Sequence, residues 1–413
     1  MVRVAFVHPD LGIGGAERLV VDAALALQSR GHDVHIFTAH HDRKRCFPET
    51  RNGKVGVTTI GNWLPRHVFQ YGHALCAYIK MVYVAIYISL MSLCFWRRYE
   101  VFICDQVSTC VPFLRYMTRA KVVFYCHYPD QLLTSTYSLS GARKVYRDVL
   151  NWIEEQTTGM AHEILCNSYF TKEMFERTFR SLFLRKVNVL YPSIDFSSFD
   201  IDPPPMPDVV QPGRTRIIFL VINRYERKKN TRLVIESTRK MVEKYAITDH
   251  KEPHLIIAGG YDPRLPENVE YFKELQQVAE QFRLKDKVHF YKNISHEEKV
   301  ALLKLCDVFV YPPSKEHFGI GPLEAMYMGK PVIAINDGGP TETVSHGETG
   351  WLTEPKANRF SNRMLNFVRH PEEIEKFGKA GRKRVLDIFS YQKFVDNFDE
   401  LVQRLSTSSG EDD

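Results

Sequence analysis

Three short stretches carry residue types suited to handling a phosphorylated sugar. The first is Pro313-Ser-Lys-Glu316-His-Phe318-Gly319-Ile320-Gly321-Pro322-Leu-Glu324-Ala325, which holds two glutamates eight residues apart. Carboxylates accept hydrogen bonds from sugar hydroxyls, and the backbone amides from Phe318 through Gly319 and Ile320 to Gly321 can donate to the same ligand. With Glu316 in a loop and Glu324 in the first turn of a helix whose opening suits Pro322, a diol-rich ligand can bridge the pair. The second stretch, Asn223-Arg224-Tyr-Glu-Arg227-Lys228-Lys229-Asn230, sets four cations beside one another. Arginine grips a diphosphate as a planar fork and lysine as a point charge. The third, Gly12-Ile-Gly14-Gly15-Ala16-Glu17, places glycines where a helix begins, and bare amides with a positive dipole end favour an anion there.

Each stretch has a plainer reading. A glycine-rich turn also serves simply to join a strand to a helix, a charge run is commonly a solvated turn, and either glutamate alone fits an ordinary surface acid. The glycine spacing departs from the dinucleotide fingerprint and so argues against a nicotinamide enzyme. It is the combination that points to chemistry.

These residues need elements to position them, and the chain supplies a regular alternation. Apolar strand patterns at Arg3–Val7, Val34–Thr38, Val101–Cys104, Val122–Tyr125 and Glu163–Cys166 are separated by helical stretches, the first from Ala16 to Arg30. A proline-rich break with Pro203-Pro-Pro205, Pro207 and Pro212 follows, and the pattern restarts at Ile217–Val221, Leu255–Ala258, Val288–Tyr291, Val308–Tyr311 and Val332–Ile335. Ser295-His-Glu-Glu298 reads as a capping box. The expected fold class is α/β, with two facing Rossmann-like domains: residues 1–195, a linker over 196–213, and residues 214–384, with the last helices, about 385–413, packing back on the first domain. Such sheets bind ligands outside the carboxyl ends of their strands, so the active site is expected in a cleft between the domains.

Composition narrows the class further. The 413 residues are 44% hydrophobic and 25% charged, with a net charge of +6, which suits two ordinary cores and an anionic ligand or lipid, without a basic run of the nucleic-acid kind. The eight cysteines show no CxxC pair and no zinc spacing, as expected of reduced, mostly buried thiols in a cytosol-facing protein. The chain opens directly on a strand pattern, so no apolar signal segment is expected, and the Asn293-Ile-Ser295 sequon is expected to be incidental because Ser295 reads as a helix cap.

Taken together and in this order, the three stretches resemble the retaining GT-B glycosyltransferases. Glu316 and Glu324 match that family's Glu-x7-Glu signature, Arg224 and Lys229 its diphosphate-binding pair, Gly14 and Gly15 its glycine loop, and Gly338-Gly339-Pro340-Thr341-Glu342 a further donor-facing loop. The resemblance covers nearly the whole chain. Within that family, His8–Arg18, Cys104–Ser108, Phe124–Asp130 and Asn151–Met160 are similar to the eukaryotic α-1,3/α-1,6-mannosyltransferases of asparagine-linked glycosylation. One departure is Asn230, where many relatives have glycine.

The resemblance implies GDP-mannose as donor, a dolichol-diphosphate-linked oligosaccharide as acceptor, the cytosolic face of the endoplasmic reticulum membrane as location, and other transferases of the pathway as partners. It implies same-face departure and attack through an oxocarbenium-like state in place of a double displacement, which would need a carboxylate close below the anomeric carbon. Arg224 and Lys229, supported by Lys228, would stabilise the leaving diphosphate. Glu316 would orient mannose, Glu324 the ribose, and His127, in the loop after Val122–Tyr125, would hydrogen-bond mannose. No cofactor and no catalytic metal are expected. Rival readings remain a soluble transferase using another nucleotide sugar and a binding scaffold without turnover.

Ala74 to Trp96 is apolar except for Lys80 and is bounded by Arg97-Arg98, long enough to cross a bilayer. One crossing would leave Arg3–Val7 and Val101–Cys104, strands of one sheet, on opposite sides of the membrane. A crossover helix lying in the cytosolic leaflet is therefore expected, with Tyr83 and Tyr87 at the interface. The alternative is a fully buried core helix.

Overall fold

The computed structural model describes residues 1–65, 72–94, 98–133, 141–194, 196–203, 205–206, 216–244 and 252–407. Pro204, Pro207, Pro212, Trp96 and Arg97, invoked above, lie outside them. The chain forms two compact units, Met1–Ser193 with Tyr391–Asp413, and Ile194–Ser390.

The first unit is a seven-stranded parallel sheet of β1 (Arg3–His8), β2 (Asp33–Thr38), β3 (Gly56–Thr59), β4 (Val101–Asp105), β5 (Lys121–Cys126), β6 (Glu163–Cys166) and β7 (Val187–Val189), in the order β3-β2-β1-β4-β5-β6-β7. Alternate residues feed opposite faces, as the period of a strand requires. Val4, Phe6, Ile36 and Ile103 meet helix Gly15–Ser29 and the returning helix Tyr391–Thr407, while Ala5, Val7, Phe102 and Phe124 face helix His73–Cys94. The returning helix contributes Phe394, Phe398, Leu401 and Val402 to the core. It is fastened by Arg404 to Glu163 at 2.7 Å and by His32 to Asp399 at 2.6 Å. Helix Glu372–Ile388, whose end overlaps the stretch from which a return was expected, stays with the second unit, and the return begins at Tyr391. Gly378 of Glu372–Ile388 packs so closely that an added Cβ would lie 2.0 Å from the Gly329 carbonyl oxygen.

Helix His73–Cys94 is the crossover between β3 and β4. Met81, Val84, Ala85 and Ile88 bury one face against the sheet, and Leu75, Ile79, Tyr83, Tyr87 and Leu90 are exposed on another. It is neither a free spanning helix nor a fully buried one, because the β1–β4 pairing holds its two ends to one sheet.

The second unit repeats the arrangement with β8 (Arg216–Ile222), β9 (Glu252–Gly259), β10 (Val288–Lys292), β11 (Val308–Tyr311), β12 (Val332–Ile335) and β13 (Gly350–Thr353), ordered β10-β9-β8-β11-β12-β13 and parallel throughout. Phe196–Phe199, in the expected linker, packs on this unit: Phe196 stacks on Tyr327 at 4.5 Å and Asp200 accepts from the Tyr327 hydroxyl at 2.7 Å. In both sheets the strand order reverses beside the first strand, between β1 and β4 and between β8 and β11. This is the switch point where α/β sheets bind ligands.

Candidate active site

In the second unit the basic stretch leaves β8 as a turn ending in the short 3-10 helix Arg227–Lys229, and Asn230 takes the left-handed conformation with φ 52° before helix Thr231–Lys244 begins. Asparagine and glycine are the residues that adopt that conformation at least cost, so Asn230 suits the position. Tyr225 anchors the turn from below, its buried hydroxyl donating to the Tyr291 carbonyl at 2.8 Å. Gly259 permits the close approach, since a Cβ there would sit 1.9 Å from the Asn223 carbonyl oxygen. Arg224 and Lys228 keep largely exposed side chains and share Glu226, at 3.0 and 3.1 Å. Lys229 turns inward and meets Glu316 Oε1 at 2.6 Å. Arg227 instead pairs with Glu274, away from this group.

Glu316 leaves β11 in a loop braced by the Gly338-Gly339 turn. The Gly339 amide donates to the Glu316 carbonyl at 2.7 Å, and a Cβ on Gly339 would lie 2.3 Å from Phe318 Cα. Phe318 turns its ring into the core against Phe389, so only its backbone is available to a ligand. Gly319, with φ 85°, is the N-cap of helix Ile320–Tyr327. Pro322 is thus the third residue of that helix, not its first, and Glu324 lies just beyond its first turn. The left-handed Gly319 lets the helix start earlier than a proline rule suggests. Glu324 pairs with Lys299 at 2.5 Å; burial raises its pKa, and the lysine opposes that rise. Each glutamate of the signature therefore has its own lysine. Lys299 lies on helix His296–Leu305, whose capping box closes on Ser295 as the sequence indicates.

In the first unit Gly14 is the N-cap of helix Gly15–Ser29, in extended conformation, and nothing lies within 4 Å of a Cβ placed on Gly15. Across the switch point stands a feature that sequence reasoning missed. Asp105, buried at the end of β4, takes His8 Nδ1 on one carboxylate oxygen at 2.5 Å and His127 Nε2 on the other at 2.9 Å. Burial opposes ionisation of Asp105, yet the His8 charge and the hydrogen bonds of both imidazoles outweigh it and hold the carboxyl at about 2. Burial likewise lowers the His8 pKa, but Asp105 and then Glu17 raise it on balance. The Asp105 bond fixes Nε2 of His127 as the inner nitrogen and leaves Nδ1 free to face a ligand.

Arg224, Lys228, Lys229 and Glu316 thus group around the carboxyl ends of β8 and β11, with Glu324 beside Lys299. Gly14, Gly15 and His127 follow the carboxyl ends of β1 and β5 in the other unit. Glu226, Lys299, His8 and Asp105 join them, although the sequence reading gave none of the four a role of its own. Three of them lie inside stretches already singled out, Glu226 in the basic turn and His8 and Asp105 in the stretches that carry the resemblance, and Lys299 lies on the helix that the capping box opens. Asp200-Ile-Asp202 has a spacing that can hold a metal, but Asp200 is engaged by Tyr327 and Asp202 points into solvent near Lys304.

Comparison with known proteins gives the family and the fold. Residues 206–384 match the family Glycosyl transferases group 1, and residues 13–198 match Glycosyltransferase Family 4. Alpha-1,3/1,6-mannosyltransferase ALG2 of Mus musculus is 46% identical over 405 residues, covering 97% of this chain and 96% of the relative. The Dictyostelium discoideum protein of the same name is 41% identical over 419 residues, covering 98% of each. Among solved structures, the sucrose-phosphate synthase of Thermosynechococcus elongatus superposes with a TM-score of 0.72 at 19% identity, covering 99% of this chain and 100% of that one. The likeness at that identity concerns the fold alone. With near full-length identity well above 30%, the chain is a glycosyltransferase and belongs to the α-1,3/1,6-mannosyltransferase family of the GT-B class.

Proposed function

We propose that this transferase moves mannose from GDP-mannose onto a dolichol-diphosphate-linked oligosaccharide, making α-1,3 and α-1,6 linkages in N-glycan precursor synthesis at the cytosolic face of the endoplasmic reticulum membrane. The observation that carries the reading is the Lys229–Glu316 pair, which sets a cation for a departing diphosphate directly beside a carboxylate for the transferred sugar. The name shared by the relatives supports the two linkages.

An incoming diphosphate competes with Glu316 for Lys229. The freed carboxylate then accepts hydrogen bonds from mannose hydroxyls, while Arg224 and Lys228 turn from Glu226 toward the phosphates. Positive charge already in place where negative charge develops lowers the barrier, and the acceptor hydroxyl attacks from the face the diphosphate leaves. In the same proposal Glu324 holds the ribose, amides near Gly14, Gly15, Gly319 and Ile320 bind the donor, and His127 presents Nδ1 to mannose. These cations take the place of a catalytic metal. Transferases that supply and consume the lipid-linked glycan are proposed partners.

Membranes holding the full chain are to be incubated with labelled GDP-mannose and a lipid-linked one-mannose acceptor, and the product linkages mapped. Both linkages are expected, in the presence of EDTA as well. Lys229→Ala and Glu316→Ala are each expected to lower kcat about a hundredfold or more, the usual cost of removing one preorganised transition-state contact. Unchanged rates in both variants, or preference for another nucleotide sugar, would overturn the assignment.

A further inference from the structure

Helix Ala142–Gly159 reverses the usual amphipathic arrangement. Val145, Val149 and Trp152 are exposed at helical spacing, while Arg147 and Glu154, about two turns apart, are each only 6% exposed. Burying a charge is costly unless a close partner offsets it, so each of the two calls for one. Both reach the same residue. Arg147 Nη2 donates to Asp130 Oδ2 at 2.8 Å, and Glu154 accepts the Asp130 amide on Oε1 at 2.7 Å and the Gln131 amide on Oε2 at 3.2 Å. One buried charge thus holds the side chain of Asp130 and the other its main chain. Burial pushes the Glu154 carboxyl up to about 7, although both amides and Arg147 favour its charge.

Asp130 itself is open. Its side chain is 37% exposed, and Oδ1 has no partner among the described residues. It stands three residues after His127, beyond the carboxyl end of β5, on the side of the sheet where α/β ligands bind. The link between the two is stiff, because Pro129 limits the backbone freedom of Tyr128 and the His127 carbonyl accepts from Asn167 Nδ2 at 3.2 Å. On the flanking elements Gln131 Nε2, Arg147 Nε and Asn151 Oδ1 are buried without a partner among the described residues. They are two donors and one acceptor, and a hydroxyl, which both donates and accepts, suits them. An ordinary surface aspartate needs no such support. Asp130 and Glu154 also fall in Phe124–Asp130 and Asn151–Met160, stretches that carry the resemblance and whose part in the proposed chemistry ends at His127.

We infer that Asp130 accepts a hydroxyl of the acceptor saccharide on Oδ1, and that Arg147 and Glu154 are positioning residues that fix it for this contact. The inference rests on the transfer proposed above and adds a residue to its acceptor side. In that transfer the diphosphate, the ribose and the mannose that moves all have partners, and the acceptor saccharide has none. Its hydroxyls are uncharged donors, and a carboxylate gives them a charge-assisted hydrogen bond of the stronger kind. Held through both side chain and main chain, Asp130 has little freedom left to lose when the saccharide arrives.

Steady-state transfer by the full chain in membranes, with GDP-mannose and the lipid-linked one-mannose acceptor varied in turn, tests this. Asp130→Asn keeps an oxygen for Arg147 and turns an amide N–H toward the place where a hydroxyl would donate. kcat/KM for the acceptor is expected to fall about tenfold, the scale of one charge-assisted hydrogen bond, with KM for GDP-mannose unchanged. Arg147→Lys keeps the charge and Glu154→Gln the shape. Each should lower the same parameter by about three- to tenfold and, combined with Asp130→Asn, add less than about twofold, because both act through the residue already changed. The exposure of Asp130 keeps the test open if either buried variant fails to fold. Acceptor kcat/KM retained in Asp130→Asn, or a loss seen in KM for GDP-mannose in its place, refutes the contact. Fully multiplicative losses in the double variants refute the positioning roles. Wild-type protein that transfers no mannose refutes the proposed activity and the inference with it, an outcome distinct from both.

Discussion

Asp105 does with one buried carboxylate what usually takes two, neutralising His8 while orienting His127. Replacing it by asparagine leaves the His8 imidazolium buried without its counter-charge, and removing one partner of such a pair costs on the order of 3–5 kcal/mol. Linkage gives the pH signature. The Asp105 carboxyl, depressed from 3.8, contributes stability above that value that is lost as pH falls through about 2. His8, raised from 6.5, contributes stability below 6.5 that is lost as pH rises through its folded-state value. Urea unfolding of the wild type is therefore expected to weaken on the alkaline side of 6.5, and Asp105→Asn to be less stable at pH 6 with that alkaline slope abolished. A slope unchanged in the variant would show that His8 is not charged in the fold. Glu316, Glu324, Arg224 and Lys229 were legible in the sequence because each lies within one short segment where spacing can be read. His8 and Asp105 were not, since 97 positions separate them and only the β1–β4 pairing brings them together.

Among elements, the buried central strands were visible because burial on both faces writes a continuous apolar run. Glu163–Cys166, Val308–Tyr311 and Val332–Ile335 fall where the pattern puts them. Gly56–Thr59, Val187–Val189 and Gly350–Thr353 escaped it. All three are edge strands of three or four residues, partly open to solvent, and such strands carry too few apolar residues to stand out. The Gly338-Gly339 turn shows how an element fixes a site from outside it. Gly339→Ala sets a methyl against the Phe318 backbone, which has no rotamer to yield, so the Glu316 loop must shift. The expected result is a loss of about 1–3 kcal/mol in stability, the range for overpacking. A melt should show it, together with at least a tenfold fall in kcat; full activity in a stable variant would mean that the loop tolerates displacement.

For the whole molecule, the number of domains was readable from a strand–helix alternation that stops and restarts. The point of return was not, because helices Glu372–Ile388 and Tyr391–Thr407 are both amphipathic and sequence does not say which core each faces. Ending the chain at Ser390 strips Phe394, Val395, Phe398, Leu401, Val402 and Leu405 from the first core, each contributing about 1.5–3 kcal/mol when buried. Limited proteolysis of that truncation is expected to digest Met1–Ser193 and spare Ile194–Ser390; equal resistance of the two would show that the first sheet closes without its last helix.

That returning helix also imposes an order on biosynthesis. A ribosome releases the seven strands of the first sheet long before it makes Tyr391–Thr407, and at about 5–20 residues per second the intervening stretch takes on the order of 10–40 s to emerge. Throughout that interval helix Gly15–Ser29 lacks the last helix that later packs on it. The nascent chain therefore presents a sticky hydrophobic face, a natural substrate for a chaperone, until its second half is complete.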